Sequence, residues 1–354
     1  HGMGLAHRRL SIIDTSVNGK QPMRSNEGRF IITFNGEIYN HKEIKKKIEK
    51  KRKSNNFWRG HSDTEVLLES IEEFGLDNTL NSINGMFAFA LWDNKEKELI
   101  LARDRFGEKP LYWGFANNKN DNQRNTFIFA SELSGIFNLK GFQKSIDQES
   151  LSHYFQYGYV NQPKTIQSGI YQLLPGEVLR ITSNDRGFFN KENLTKYIWW
   201  DSQKIFEEIS NSEQYSDNLK KDFYIEELER ILQKAINLQA KSSDMPVGCL
   251  LSGGIDSTLI TTLLQKDSSI PVKSYTLKFL DNNGNFSLFD ESIYANKMHI
   301  DKPFSKYTLK LFIPINVKNK KYGPLEIKVN QPLKLPQKYI EKDYIKLYSE
   351  DNKT

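Results

Sequence analysis

Val247-Gly248-Cys249-Leu250-Leu251 runs straight into Ser252-Gly253-Gly254-Ile255-Asp256-Ser257, and apolar residues resume from Leu259 to Leu264. A short apolar run that breaks at glycines and continues as an apolar helix reads as strand, tight turn and helix. A further strand, Val272 to Phe279, follows the link Ser268-Ser269-Ile270-Pro271. Together they predict one βαβ unit of a parallel sheet, so this part of the chain is α/β. Paired glycines at such a turn let backbone N–H groups approach an anion, and the helix that follows points its positive end at the same place. Ser252 and Ser257 add hydroxyls. Asp256 would repel a phosphate directly, so it either helps hold Mg²⁺ or caps the helix. The pattern is not a Walker A loop, which needs a lysine before the Ser/Thr.

Upstream the pattern changes. Arg29 to Phe34 reads as a strand ending at the turn pair Asn35-Gly36. Helices are predicted over His41 to Lys53 and Asp63 to Phe74, with Ser62 or Asp63 as N-cap and Gly75 as stop. Strands follow over Met86 to Trp92, Glu98 to Ala102, Leu111 to Phe115 and Thr126 to Ala130. The arrangement is α+β with antiparallel hairpins. Asp147 to Gln156 reads as a helix, Glu177 to Thr182 as a strand, and Tyr224 to Leu238 as a helix. The asparagine-rich stretch Thr182 to Asp222 reads as a long surface excursion. Residues 301–354 are lysine-rich without clear periodicity.

At 354 residues the chain has room for two domains, and 38% hydrophobic with 27% charged residues suits a globular protein. The net charge of +6 reads as solvated lysine-rich helices rather than a nucleic-acid surface. In Lys42 to Lys53, KEIKKKIEKKRK, only Ile44 and Ile48 form an apolar stripe, and no aromatics interleave with the lysines. The single cysteine, Cys249, excludes an internal disulfide and a Cys-rich metal site, and reads as a small buried strand residue. No apolar run is long enough for a membrane span. A cytoplasmic setting is expected, with no nucleic-acid or membrane partner.

Six motifs upstream of the glycine turn are co-ordered: AHRRLSIID (Ala6 to Asp14), FNGEIYN (Phe34 to Asn40), HSDTE (His61 to Glu65), NGMFAFALWD (Asn84 to Asp93), RDRFGEKPLYW (Arg103 to Trp113) and FASEL (Phe129 to Leu133). They resemble the class II glutamine amidotransferase domain. LLSGGIDST resembles the pyrophosphate loop of the N-type ATP pyrophosphatases. With GIYQLLPGE (169–177), SYTLKF (274–279) and FDESIYA (289–295), the whole over about residues 1–297 is similar to glutamine-hydrolysing asparagine synthetase. The resemblance implies an αββα N-terminal-nucleophile sandwich over residues 1–145. It implies the start of an α/β ATP-pyrophosphatase domain over 146–297, and leaves a tail, 298–354, unassigned.

Carried over residue by residue, the resemblance implies a glutamine site of Arg9, Leu10, Ser11, Ile12, Ile13, Asn35, Gly36, Glu37 and Asp63. Arg9 would pair with the α-carboxylate, a planar group suited to a bidentate donor. Glu37 and Asp63 would hold the α-amino group. The Asn35 side chain and the Gly36 N–H would form an oxyanion hole. ATP would be held by Leu251, Ser252, Gly253, Gly254, Asp256, Ser257 and Leu277, with Mg²⁺ at Asp256. Read alone, Asn35-Gly36 is equally a hairpin turn and Asp63 equally an N-cap. Arg103, Asp104 and Lys109 read as structural charges around Gly107, and Ser131 and Glu132 as a buried wall between the domains.

The implied reaction is ATP-dependent amidation of aspartate with ammonia from glutamine, in a protein compatible with a homodimer. Two departures bear on it. The family's nucleophile is an N-terminal cysteine and none stands in the first half, so hydrolysis by this chain is not expected. A second glycine-rich acidic motif is missing from 298–354, and a parallel sheet cut after two strands would leave a bare edge and a marginal second domain. The alternatives are amidation of another carboxylic acid, or a non-catalytic remnant that only binds nucleotide.

Overall fold

A computed structural model describes residues 3–10, 12–117, 125–139, 142–184, 187, 189–211, 221–278 and 292–297, with the backbone of 305–310, 326–328 and 346–348. The chain divides into two compact units, His1–Asp217 and Asn218–Thr354.

The first unit is a four-layer sandwich. Its large sheet holds β1 (Met23–Arg24), β2 (Phe30–Ile38), β3 (Gly85–Asp93), β4 (Glu98–Arg103), β8 (Glu177–Ser183) and β9 (Phe189–Ile198), antiparallel in that order. A second sheet has the order β6-β5-β7, from Asn125–Ala130, Tyr112–Asn117 and Ile170–Gln172. The helices are α1 (His41–Arg52), α2 (Asp63–Phe74), α3 (Leu76–Ser82), α4 (Leu133–Phe137), α5 (Gln148–Tyr157) and α6 (Ser202–Ser210).

Strand alternation assigns the layers. Ile32, Phe34, Ile38, Phe87, Phe89 and Leu91 meet Ile44 and Ile48 of α1 and Leu67 and Ile71 of α2. The opposite face, with Ala88, Ala90, Leu99, Leu101 and Leu179, packs on Leu111, Trp113, Phe127 and Leu173. The far side of the second sheet, with Ile128 and Ile170, is covered by Ile136 of α4. The lysine-rich helix is therefore held by the two isoleucines its sequence offered. Both are essentially fully buried, each contributing roughly 1.5–3 kcal/mol of transfer free energy.

Three expectations change here. The domain boundary does not fall at 145/146. β8 pairs with β4 through Glu98↔Thr182 to Ala102↔Val178, so 177–198 completes the first sandwich. The supposed surface excursion is in part β9 and α6. Its exposed side chains hid the strand, because β9 is an edge with most of its residues in solvent. Asn35 and Gly36 are not a turn, since β2 runs through them opposite Ala88 and Phe87.

In the second unit, α7 (Lys221–Ser242) precedes β10 (Gly248–Leu250), α8 (Ile255–Lys266), β11 (Lys273–Lys278) and α9 (Ser292–Lys297). β10 and β11 pair in parallel, as the βαβ reading requires. Cys249 is buried, and burial pushes its thiol up. The expected bare edge is corrected. β12 (Ser305–Lys310) pairs in parallel with the free side of β11, Tyr275↔Tyr307 through Lys278↔Lys310. The same four residues, Tyr-Thr-Leu-Lys, occur in both strands. β13 (Glu326–Lys328) and β14 (Lys346–Tyr348) form a separate parallel pair.

Candidate functional site

The site begins with the outer edge of β2. Phe87, opposite Gly36, accepts a bond from the Asp104 N–H at 2.8 Å and donates its own N–H to Asp104 Oδ2 at 3.1 Å. Its hydrogen-bonding groups therefore face β4, and by the antiparallel alternation the N–H groups of Phe34, Gly36 and Ile38 point away from β3. Side chains take the first and third. Phe34 N–H donates to Gln21 Oε1 at 2.7 Å, and Ile38 N–H to Asp63 Oδ2 at 2.9 Å. The Gly36 N–H lies between them, and Gly36 lines a cavity of about 850 Å³. Only glycine fits there, because an added Cβ would overlap the Met86 carbonyl oxygen.

Asp63 opens α2 but does not cap it. Ser62 does, accepting from the Glu65 N–H at 3.2 Å. That leaves the Asp63 carboxylate for the Ile38 and Thr64 N–H groups, the latter at 2.8 Å. Burial pushes the Asp63 carboxyl up to about 6; the two N–H groups and nearby Arg9 oppose this, while Glu37 adds to it. Burial also raises Glu37, against the pull of Lys109. These mutual effects put Arg9, Glu37 and Asp63 in one electrostatic neighbourhood.

Arg9 is anchored from behind. Its Nη2 donates to the carbonyls of Ile13 and Asp14, each at 2.6 Å, and Gly19 packs so tightly that a Cβ there would overlap the guanidinium. Asp14 holds the rest of the loop. It is 1% exposed, has a positive φ of 51°, and accepts from Ser16 N–H and Oγ at 3.1 and 2.5 Å. Its Oδ2 accepts from the His61 N–H at 2.9 Å. Burial pushes its carboxyl up, but these hydrogen bonds outweigh burial and hold it below its ordinary value. One residue thus ties Arg9, through its carbonyl, to the segment leading into Asp63, through its carboxylate.

The cavity is lined by Arg9, Leu10, Ile12, Ile13, Asn35, Gly36, Glu37 and Asp63, bringing together all the glutamine-site residues expected from the sequence except Ser11, which lies outside the described residues. Leu10 is 86% exposed at its mouth and Ile13 is buried. Asn35 Nδ2 donates to Ser131 Oγ at 3.4 Å. Sequence reasoning assigned Ser131 and Glu132 to a buried wall, but Glu132 is exposed, and both line this cavity. Arg103 and Asp104 are structural as expected. Arg103 donates to the carbonyls of Lys109, Leu173 and Gly107, and Asp104 accepts from the N–H groups of Phe106, Glu108 and Lys109. Lys109 differs: its backbone belongs to that turn, but the residue lines the cavity and acts on Glu37. The sequence reading gave Lys109 only a structural part and did not single out Asp14, although both stand inside quoted motifs.

The second unit supplies a backbone site. Gly253 has φ +87°, and an added Cβ would meet Tyr294 Cβ at 2.6 Å and the Ala295 nitrogen at 2.7 Å, so α9 closes that side of the turn. The hydroxyls of Ser252 and Ser257 lie 2.9 Å apart, and Ser252 Oγ also accepts from the Gly254 N–H at 3.3 Å. The turn thus partly satisfies itself. The opening N–H groups of α8, at Ile255, Asp256 and Ser257, have no intrahelical acceptor, and among the described residues an added Cβ at Gly254 would meet only Ser252 Oγ, at 3.4 Å. These donors fit an anion. Leu251 is buried at the end of β10, donating its N–H to the Tyr275 carbonyl at 2.7 Å, and Asp256 is exposed on the first turn of α8. Leu277 is in β11, its side chain outside the described residues. Among the described residues no cluster of three or more His, Cys, Asp or Glu could hold a metal ion. Nor is any helix among them long and apolar enough to cross a membrane.

A sandwich with this cavity at its edge defines a glutamine amidotransferase domain, and the chain belongs to that family, whose model matches residues 1–197. The narrower kinship is with the glutamine-hydrolysing asparagine synthetases, as residues 227–301 match the asparagine synthase family. Asparagine synthetase [glutamine-hydrolyzing] 3 of Bacillus subtilis is 31% identical over 81% of this chain and 43% of its own length. Asparagine synthetase [glutamine-hydrolyzing] 1 of the same organism is 31% identical over 78% and 39% respectively. The chain spans less than half the length of the curated relatives it matches. A solved glutamine phosphoribosylpyrophosphate amidotransferase from B. subtilis aligns over 83% of this chain and 56% of its own at 17% identity. Its TM-score of 0.35 carries no weight.

Proposed function

We propose that this chain is the glutamine-binding and nucleotide-binding part of a cytoplasmic ligase that amidates aspartate to asparagine, with ATP as the activating substrate and glutamine as the ammonia donor. The observation that carries the reading is the convergence of Arg9, Asn35, Gly36, Glu37 and Asp63 on one cavity. Arg9 takes the α-carboxylate of glutamine. Glu37 and Asp63 take the α-ammonium, and binding that cation draws Asp63 into its ionised form. Leu10, Ile12 and Ile13 form the wall beside the bound amino acid. The side-chain amide oxygen then falls to the Gly36 N–H and the Asn35 Nδ2, donors set for the charge that develops during attack on the amide.

Among the described residues the cavity lining contains no cysteine, so these residues would bind glutamine without themselves supplying a thiol for attack on its amide. At the second unit the N–H groups at the start of α8, with Gly253, Gly254 and the Ser252 and Ser257 hydroxyls, would hold the phosphates of ATP. Leu251 and the β11 strand that carries Leu277 would flank the adenosine. When bound, ATP supplies the adenylyl group for the acceptor carboxylate and releases pyrophosphate. Asp256 would supply one carboxylate ligand to a Mg²⁺ ion brought in with the nucleotide, an ion that usually keeps several waters and takes phosphate oxygens for the rest.

Equilibrium dialysis with labelled L-glutamine and labelled ATP tests both halves. The expected result is saturable retention of each with no ammonia released from glutamine, and ATP retention that rises with Mg²⁺. Retention of D-glutamine or glutarate as strong as that of L-glutamine would overturn the amino-acid site.

A further inference from the structure

Two segments far apart in the chain carry the opposite charges of the amino-acid cavity. Asp63 opens α2, and the segment before it is fastened to that helix. Buried Glu65 accepts from the Arg59 N–H at 2.9 Å and from the Gly60 N–H at 3.0 Å. No helix or strand carries Arg9. The tie between the two is buried Asp14, whose carbonyl accepts from Arg9 at 2.6 Å and whose Oδ2 accepts from the His61 N–H at 2.9 Å. His61 Nδ1 lies 3.6 Å from the same oxygen. Gly60 leaves room for it, since an added Cβ there would overlap Asp14 Oδ2. A second tie, from Asn18 Nδ2 to the Arg59 carbonyl at 2.7 Å, is exposed, and water competes for an exposed bond. Asp14 itself does not line the cavity.

An α-amino acid carries its carboxylate and its ammonium on one carbon, so a site that takes both needs Arg9 and Asp63 at one fixed spacing. A loop left free to move has to be ordered when the ligand arrives, and that ordering subtracts from affinity. A ligand with only one of the two charges makes no such demand. We propose that Asp14 is a positioning residue that holds Arg9 at the α-amino-acid spacing from Asp63, and so makes the site select ligands carrying both charged groups. This rests on the amino-acid reading of the cavity, and Asp14 acts through Arg9 rather than on the ligand.

Asp14→Asn is the clean substitution. Asparagine tolerates the positive φ of this position, but its one acceptor oxygen can serve Ser16 or His61 and not both. Equilibrium dialysis of the full chain compares L-glutamine with glutaramate, which lacks the ammonium, and with 4-aminobutanamide, which lacks the carboxylate. In Asp14→Asn, L-glutamine should bind about tenfold more weakly. Each single-charge ligand should stay within about twofold of its affinity for the unmodified chain. Added to Arg9→Ala, the same substitution should weaken L-glutamine no more than about twofold further. Gly60→Ala displaces the carboxylate from the His61 side and should show the same pattern, so the test stands even where Asp14→Asn fails to fold. L-Glutamine bound equally well by the Asp14→Asn and unmodified chains, or an equal loss of all three ligands, overturns the proposal. Failure of the unmodified chain to retain L-glutamine would instead sink the amino-acid reading, and this inference with it.

Discussion

The two proposed sites would recognise charge in opposite ways. In the first, Arg9, Glu37 and Asp63 come from a loop, a strand and a helix start, and they converge only because a four-layer sandwich holds all three. In the second, the donors are consecutive main-chain N–H groups at one strand-to-helix turn, needing little beyond β10, α8 and the α9 backbone that closes against Gly253. A side-chain site depends on the whole fold of its unit; a backbone site depends on its own turn. Damage should therefore spread differently in the two.

The largest contrast is expected from Arg9→Ala. Loss of a charge-assisted anchor should weaken L-glutamine by about a hundredfold or more and leave ATP retention unchanged, as read by dialysis of both ligands on one sample. Equal loss of both ligands would break the contrast. Next comes Gly36→Ala, whose methyl would overlap the Met86 carbonyl oxygen. It should lower the stability of the first unit by about 1–3 kcal/mol, visible as an earlier thermal transition in that unit alone.

A pH series gives the next effect. Asp63 is held near 6 by burial, and the α-ammonium needs it ionised. The carboxylate gains its proton as pH falls, so glutamine affinity should drop about tenfold between about pH 7 and about pH 5. A flat profile would mean that Asp63 does not face the ligand. The smallest effects separate the adjacent glycines. Gly253→Ala, at φ +87° and against α9, should cost about 1–3 kcal/mol of local stability. Gly254→Ala, at φ −75° with Ser252 Oγ at 3.4 Å, should stay within about 0.5 kcal/mol.

The same contrast explains what could be read from residues alone. The βαβ unit was legible because its turn chemistry and periodicity are local. So were α1 and α2, with the α2 cap narrowed to Ser62 or Asp63, of which Ser62 holds it. Asn35-Gly36 misled, because the pair that most often marks a hairpin is here the middle of a long strand, with its glycine chosen for the Met86 carbonyl across the ladder. β9 was hidden by its exposed edge. β12 carried a signal in the repeated Tyr-Thr-Leu-Lys, which pairs in register with its copy in β11. Asp14 and Lys109 could be quoted within motifs, but their tasks depend on distant partners. The roles of Gly19 beneath Arg9 and of the His61 N–H on Asp14 exist only once the loop is folded.

The decisive measurement is a crystal structure of the chain soaked with L-glutamine. The expected density has the α-carboxylate on the Arg9 guanidinium and the α-ammonium within hydrogen-bond reach of Asp63 and Glu37. The side-chain amide oxygen should meet the Gly36 N–H. A cavity left empty at saturating glutamine, or a ligand bound with its amide end on Arg9, would contradict it.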